Sequence, residues 1–377
     1  MTDLATRLYP PLLPAVLALS LIRYDRTILA ILALFLAGNG RGLAEAVRQR
    51  PDVVVAAVLL FAWIASLSLW RGDRLALQFL VQYAGAFALF LAAGAMAARG
   101  RPAAEDHRLI LGFLVAASLL LLVPAAALYG DFLKVFRPDE EFAGRWSLIF
   151  NNPNVYGIVM ATGFCLAVAL WQAGRLSAPG LAALAALFLF QVAMSESRNA
   201  YGVAGLGALA LAALVLRGRG AWLMRGLAVL LVAAIGAGIA YLAATGRLTH
   251  ANEAQGFGTT LDARLHAWRQ TIGQIAGHPW VGVGTGILLT GQPHRHAHNV
   301  VLTWAAEFGL VGLALALACL IACLRRARAV ALVPLIPALA GQTIDDFHFQ
   351  RTFALIVAAL LAGVAFARTG RAPQAAA

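Results

Sequence analysis

Two side-chain types in this sequence are spaced as if to move a proton and hold an anion. Near the C-terminal third stands His294-Arg295-His296-Ala297-His298-Asn299, and upstream of it Asp262, Arg264 and His266 fall within five residues. A third polar cluster, Ser195-Glu196-Ser197-Arg198-Asn199, interrupts a long apolar stretch, as do Arg145 with Asn151-Asn152-Pro153-Asn154, and Asp345-Asp346 with Arg351. Histidine is largely neutral near pH 7 and can take a proton from a hydroxyl, which makes His298 a candidate general base. Arginine keeps its charge and pairs with phosphate oxygens through a planar fork, so Arg198 and Arg264 suit a departing phosphate, with Arg145, Arg351 and Asn299 as further substrate contacts.

Each residue also has a plainer role open to it. Arg198 stands at a helix boundary, where a long cation snorkels to the membrane interface by default. Asn151 and Asn154 have the composition of helix N-caps. The alternation His294, His296, His298 is compatible with a metal site, since imidazoles two apart can share a cation. The acidic candidates Asp139-Glu140-Glu141 and Asp345-Asp346 form no clear ligand set with those histidines. If arginines already neutralise the phosphate, a divalent ion is redundant, and the expectation is neither metal nor cofactor. Gly282, Gly284 and Gly286 resemble a dinucleotide loop, but no strand precedes them and no βαβ unit is near.

The elements that must position these residues follow from composition. Hydrophobic residues make up 61% of the 377-residue chain and charged ones 12%, with mean hydropathy +0.79, so water is not its main solvent. Apolar runs of roughly 17–25 residues separated by short Arg-bearing connectors match the thickness of a bilayer's hydrocarbon core. They lack the alternation of barrel strands. The expected fold is an all-α polytopic membrane protein, a single integral membrane domain over 1–377 with about twelve spans: 9–23, 26–39, 52–70, 75–98, 108–129, 154–172, 177–194, 199–217, 221–244, 298–324, 328–344 and 350–368. The first two spans are short, and a merged or re-entrant pair there would shift the parity. Residues 130–153 form a first long loop and 245–297 a large one with short helices. Net charge is +12, yet the basic residues sit one to three at a time in connectors rather than in a stripe, which argues for topology and against nucleic acid. Cys165, Cys319 and Cys323 are scattered in apolar runs and imply neither disulfide framework nor zinc module.

Orientation follows from Arg in short loops. Arg41, Arg48 and Arg50, then Arg99, Arg101 and Arg108, then Arg217 and Arg219, then Arg325, Arg326 and Arg328 fall on one side, read as cytoplasmic, with both termini. The two long loops and every polar cluster named above fall on the other, read as periplasmic. Convergence of distant polar residues onto one membrane face is what a site between helices requires.

Several clusters resemble the O-antigen ligase and polymerase superfamily. His298-Asn299, nine residues, Gly309, two residues, Gly312, in HNVVLTWAAEFGLVGL, is similar to the ligase signature, and PWVGVGTG (279–286) precedes it. LDARLHAW sets Arg264, and SESRNAYG sets Arg198, at positions matching the family's two arginines; RWSLIFNNPNVYG resembles its Asn-Pro-Asn segment. The resemblance covers roughly 145–351. It implies a fold like the GT-C class of membrane glycosyltransferases and a metal-independent transfer of O-antigen from undecaprenyl pyrophosphate to lipid A-core at the periplasmic face of the inner membrane. A polymerase of the same superfamily, a protein O-oligosaccharyltransferase and a transporter of lipid-linked glycan are the alternatives. A transporter would be expected to carry ionisable groups near the bilayer midplane and broken helices in symmetric halves.

Overall fold

The computed structural model describes residues 2–21, 25–122, 153–214, 260–285, 297, 299–327, 333, 335 and 351–366. Twelve α-helices and no strand occur among them: α1 (Thr2–Leu21), α2 (Asp25–Gly38), α3 (Gly40–Gln49), α4 (Pro51–Arg71), α5 (Arg74–Ala98), α6 (Ala103–Leu122), α7 (Pro153–Gln172), α8 (Ala178–Ser195), α9 (Arg198–Leu214), α10 (Thr260–Gly277), α11 (Val300–Leu324) and α12 (Arg351–Phe366). Helices are what the bilayer demands of such a sequence, because each satisfies its backbone groups internally. Six of them, α1, α4, α5, α7, α8 and α11, are long and apolar enough to span alone, and α2 with α3 makes a seventh if the bent pair is one span. The protein is a multi-pass α-helical membrane protein. The expected span at 221–244, most of that at 328–344 and the first long loop up to 152 lie outside the described residues.

The N-terminal pair differs in one respect from expectation. The Gly38-Asn39-Gly40 break does stop α2, but the Arg-rich connector after it is itself a helix, α3, set at 80° to α2. Its charged residues alternate with Gly42 and Ala46, which are buried. Asn39 fixes the corner: its Oδ1 accepts from Arg99 Nη1 at 2.8 Å, and its Nδ2 faces the Met96 sulfur at 3.7 Å.

Side-chain contacts sort the helix ends onto two faces. On one, Arg50 is almost fully buried and donates to the carbonyls of Ala322 and Ala365, at the last turns of α11 and α12, while pairing with both oxygens of Asp52. Helix C-termini carry partial negative charge and unpaired carbonyls, so one guanidinium closes two of them. Arg325 reaches the same Asp52 at 3.0 Å, and Arg101 pairs with Glu105 and Asp106 nearby in sequence. On the other face, Ser20 at the end of α1 bonds Thr352 at the start of α12 at 2.7 Å, and Ser68 of α4 bonds Thr285 at 2.9 Å. The Arg-rich loops at 41–50, 99–101 and 325 therefore share one face, and the polar segments at 195–199 and 278–285 belong to the other.

Between the faces, small residues let helices approach closely, the usual device where lipid removes the hydrophobic drive to associate. A Cβ on Gly94 would stand 2.7 Å from the Phe366 ring, on Gly163 2.5 Å from Phe188, and on Gly207 2.7 Å from Cys165. These contacts weld α5 to α12 and α7 to α8 and α9. Helix α7 is buried on nearly every side from Pro153 to Leu170.

Candidate functional site

The polar face is organised by a break in α11. At Gly309 the backbone turns to φ 69°, ψ 178°, and a Cβ there would stand 2.1 Å from the Trp280 carbonyl oxygen, so only glycine fits. A broken helix in a membrane must have its freed backbone groups satisfied by protein. Segment 279–284 does this: the Val283 N–H donates to the Ala306 carbonyl (2.7 Å), the Gly284 N–H to Glu307 (3.0 Å), and the Leu310 N–H to Pro279 (2.7 Å). Trp63 of α4 donates from Nε1 to the Phe308 carbonyl at 2.9 Å. Gly282 has φ 71° and no room for a Cβ, which would meet Ala306 and Glu307 backbone at 2.5 Å; at Gly312 a Cβ would lie 2.3 Å from Phe308 and 3.1 Å from Trp63. Gly282 and Gly284 of PWVGVGTG and the Gly309/Gly312 pair are thus two halves of one docking joint, and no dinucleotide loop.

From this joint the chain runs toward position 298. Thr285 is fully buried; its hydroxyl meets Ser68, and its carbonyl accepts from Arg71 Nη1 at 2.8 Å. Arg71 also pairs with Asp73, the N-cap of α5. The Ala76 N–H, and after it the Arg71 charge, hold the Asp73 carboxyl below its ordinary range. On the far side of 298, Asn299 caps α11, its Oδ1 accepting from the N–H groups of Val301 (3.0 Å) and Leu302 (3.1 Å). Ala297 is buried, and its carbonyl accepts from Trp268 Nε1 of α10 at 2.6 Å. His298, His294 and His296 lie outside the described residues, as does Arg145; Arg351 is placed as the first residue of α12.

Trp268 ties α10 to residue 297, and Arg264 sits one turn before it on the same helix face. Arg264 is half-buried, whereas His266 is exposed and meets Gln270 at 2.8 Å. Thr271 bonds back to the Ala267 carbonyl, and both are buried against the bundle.

The turn that presents Arg198 is unusually well specified. Helix α8 ends at Glu196 in the left-handed region (φ 47°), the one non-glycine residue with positive φ among those described. Such a conformation costs on the order of 1 kcal/mol and persists where the surroundings impose it. Ser195 donates to the Val192 carbonyl at 2.6 Å and accepts from the Ser197 N–H at 3.2 Å; Ser197 in turn accepts from the Ala200 N–H at 3.3 Å, opening α9. Gly157 of α7 lies under the turn, where a Cβ would be 2.5 Å from Ser195 Oγ. Arg198 emerges at the surface, partly desolvated and within Coulombic reach of Arg264. Two cations from separate segments thus feel each other's charge, and Asn299, by its cap, belongs to the same face.

Three residues of this face carry no signal of their role in the sequence. Arg71 and Trp63 look like ordinary interfacial residues of a span, and only their long-range backbone partners reveal them. Glu307 reads as a lone charge inside an apolar helix; it is 2% exposed, and its backbone carbonyl is one of the joint's acceptors. Lying about 12 Å along α11 from the N-cap at 1.5 Å per residue, it belongs to the site end of the helix. Among the described residues no three His, Cys, Asp or Glu side chains gather as a metal site.

Residues 182–317 match the family model described as O-antigen ligase. The matched segment runs from α8 through α9 and α10 to the Gly309/Gly312 joint of α11, and includes positions 198, 264, 298 and 299. A search of curated proteins found no match. Over this segment, about a third of the chain, the protein is similar to the O-antigen ligase family.

Proposed function

We propose that the protein is a metal-independent glycosyltransferase of the bacterial inner membrane, transferring O-antigen from undecaprenyl pyrophosphate to lipid A-core at the periplasmic face. In this reading an acceptor hydroxyl oxygen attacks the anomeric carbon of the donor sugar and gives its proton to His298. The bond from that carbon to pyrophosphate breaks, the electron pair leaves with the pyrophosphate oxygen, and Arg198 and Arg264 hold the developing charge. Asn299 orients position 298 by capping α11, and Arg145 and Arg351 are further donor or acceptor contacts.

What supports the reading is the common face: the turn after α8 that presents Arg198, the helix α10 that carries Arg264 and is tied to Ala297, and the Asn299 cap all belong to it. Guanidinium groups on one face suit a pyrophosphate, because each fork pairs with phosphate oxygens and keeps its charge. The side assignment is supported by the Arg-rich loops gathered at the opposite face. Purified protein given lipid-linked glycan with lipid A-core, a second repeat unit or a protein acceptor in separate reactions tests it. Sugar is expected on lipid A-core; gain only on a second repeat unit would make the enzyme a polymerase, and gain only on protein an oligosaccharyltransferase. Vectorial movement of the donor with no transfer would make it a transporter.

A further inference from the structure

Helices α2 and α5 run parallel. Gly85 approaches Ile28 at one level, and Asn39 meets Met96 and Arg99 at another, so both N-termini open on the face that carries Thr285 and Arg198. Between them lies a cavity of 750 Å³, lined by Arg26 and Thr27 of α2 and by Arg74, Leu77, Gln78 and Val81 of α5, and completed by Asp25 and Gly72. On α5 the spacing 74, 77, 78, 81 puts all four on one helix face, cation first and apolar side chains deeper. Arg26 and Arg74 are exposed, and among the described residues neither has an ion-pair partner. With Asp25 counted, the lining keeps one net positive charge, and the two helix N-termini add their partial positive charge to it.

A charged mouth above an apolar floor, at the rim of a membrane-spanning bundle, fits an amphiphile whose head is anionic and whose chains stay in the bilayer. The volume lies within the range of small-ligand sites and accommodates a phosphorylated sugar. Gly72 joins the cavity directly to Arg71, which holds Thr285 and so the segment leading to position 298. We propose that this cavity binds the phosphate-bearing headgroup of a membrane lipid, with Arg26 and Arg74 as its phosphate contacts and Leu77 and Val81 beneath the first acyl methylenes. The identification of that lipid as the transfer acceptor, docked across the Arg71 turn from the pyrophosphate arginines, rests on the glycosyltransferase reading; the headgroup site does not.

The test is lipid binding by the delipidated full-length protein, measured by native mass spectrometry with titrated lipid. Diphosphorylated lipid A, its dephosphorylated form and phosphatidylglycerol are compared for the wild type, for R26Q/R74Q and for Leu77→Trp, which puts an indole ring into the apolar part of the cavity and keeps both charges. Loss of the charge-assisted contacts is expected to weaken lipid A binding about tenfold or more in R26Q/R74Q, and the wild type is expected to bind the dephosphorylated lipid more weakly by a similar factor. Leu77→Trp is expected to lose binding as well, while R26K/R74K keeps most of it. Affinity for lipid-linked donor is measured in the same variants and is expected to stay unchanged, which separates this site from the Arg198/Arg264 pair. Phosphatidylglycerol that binds as tightly, and with the same dependence on the two arginines, would assign the headgroup to bulk phospholipid. Lipid A affinity that is the same in the wild type, R26Q/R74Q and Leu77→Trp overturns the proposal.

Discussion

Arg71 and Thr285 are joined across the width of the fold: a guanidinium at the C-terminal turn of α4 donates to a buried backbone carbonyl 2.8 Å away. The bond fixes Thr285, fourteen positions before the Asn299 cap. Removing it should loosen that stretch without touching either substrate. Arg71→Met is expected to lower turnover about tenfold to hundredfold, the worth of one charge-assisted hydrogen bond to a carbonyl, while donor KM changes little. Arg71→Lys should recover part of the loss. A fall in donor affinity equal to the fall in turnover would make Arg71 a substrate contact.

The joint at Gly309 gives a stability prediction with a built-in control. Gly309→Ala introduces a Cβ at positive φ, 2.1 Å from a backbone oxygen that cannot move without breaking the 279–284 docking. It should cost roughly 2–4 kcal/mol and lower the thermal midpoint in detergent by several degrees. Gly112→Ala, in α6 with nothing within 4 Å of the new Cβ, should be neutral or stabilise by up to about 1 kcal/mol. Equal midpoints for the two variants would show that the break does not constrain the fold.

The proposed division of labour separates His298 from the arginines. Loss of a general base is worth about 10²–10⁴-fold, so His298→Ala should collapse single-turnover rates while the lipid-linked donor still binds. Arg198→Ala and Arg264→Ala should weaken donor binding as well as turnover, and lysine should rescue poorly because one ammonium does not reproduce the fork. An active His298→Ala enzyme removes the base. Unchanged donor affinity and turnover in both arginine variants would return them to interfacial snorkelling.

Strong chelation should leave transfer intact, because the arginine pair already supplies the positive charge a divalent ion would bring. The check is activity of purified protein after chelation and after adding magnesium or manganese. Loss with rescue by one ion would revive a site at His294, His296 and His298.

Sidedness is open to a labelling experiment in a cysteine-free background. In cells with a permeabilised outer membrane, an impermeant thiol reagent is expected to label Gln255→Cys and to spare Arg326→Cys. Labelling of Arg326→Cys alone would invert the protein.

Hydropathy and charge make most of the helices legible, because bilayer thickness dictates run length and translocation cost dictates where Arg collects. Helix α10 is visible as an amphipathic pattern, on which context favours Arg264 over His266; the structure half-buries the first and exposes the second. Helix α3 is not legible, since ten residues rich in Arg and Gly read as a connector, and only packing of Gly42 and Ala46 makes them a helix. The Gly-rich segments are recognisable as a pattern, but their partnership is not: hydrogen bonds between backbones more than twenty residues apart leave no trace in side-chain periodicity. For the same reason Trp63 and Arg71, whose partners are carbonyls, carry no signal.

The fixed distance between Asn299 and Gly309 acts as a ruler. One end is pinned by the cap that starts α11 and the other by the joint that interrupts it, ten residue steps or about 15 Å of helix further on. Adding or deleting one residue in that interval would change the depth of position 298 by about 1.5 Å and swing it by about 100° around the helix axis. If His298 is the base proposed above, this gauge sets the depth in the membrane at which the acceptor hydroxyl is met.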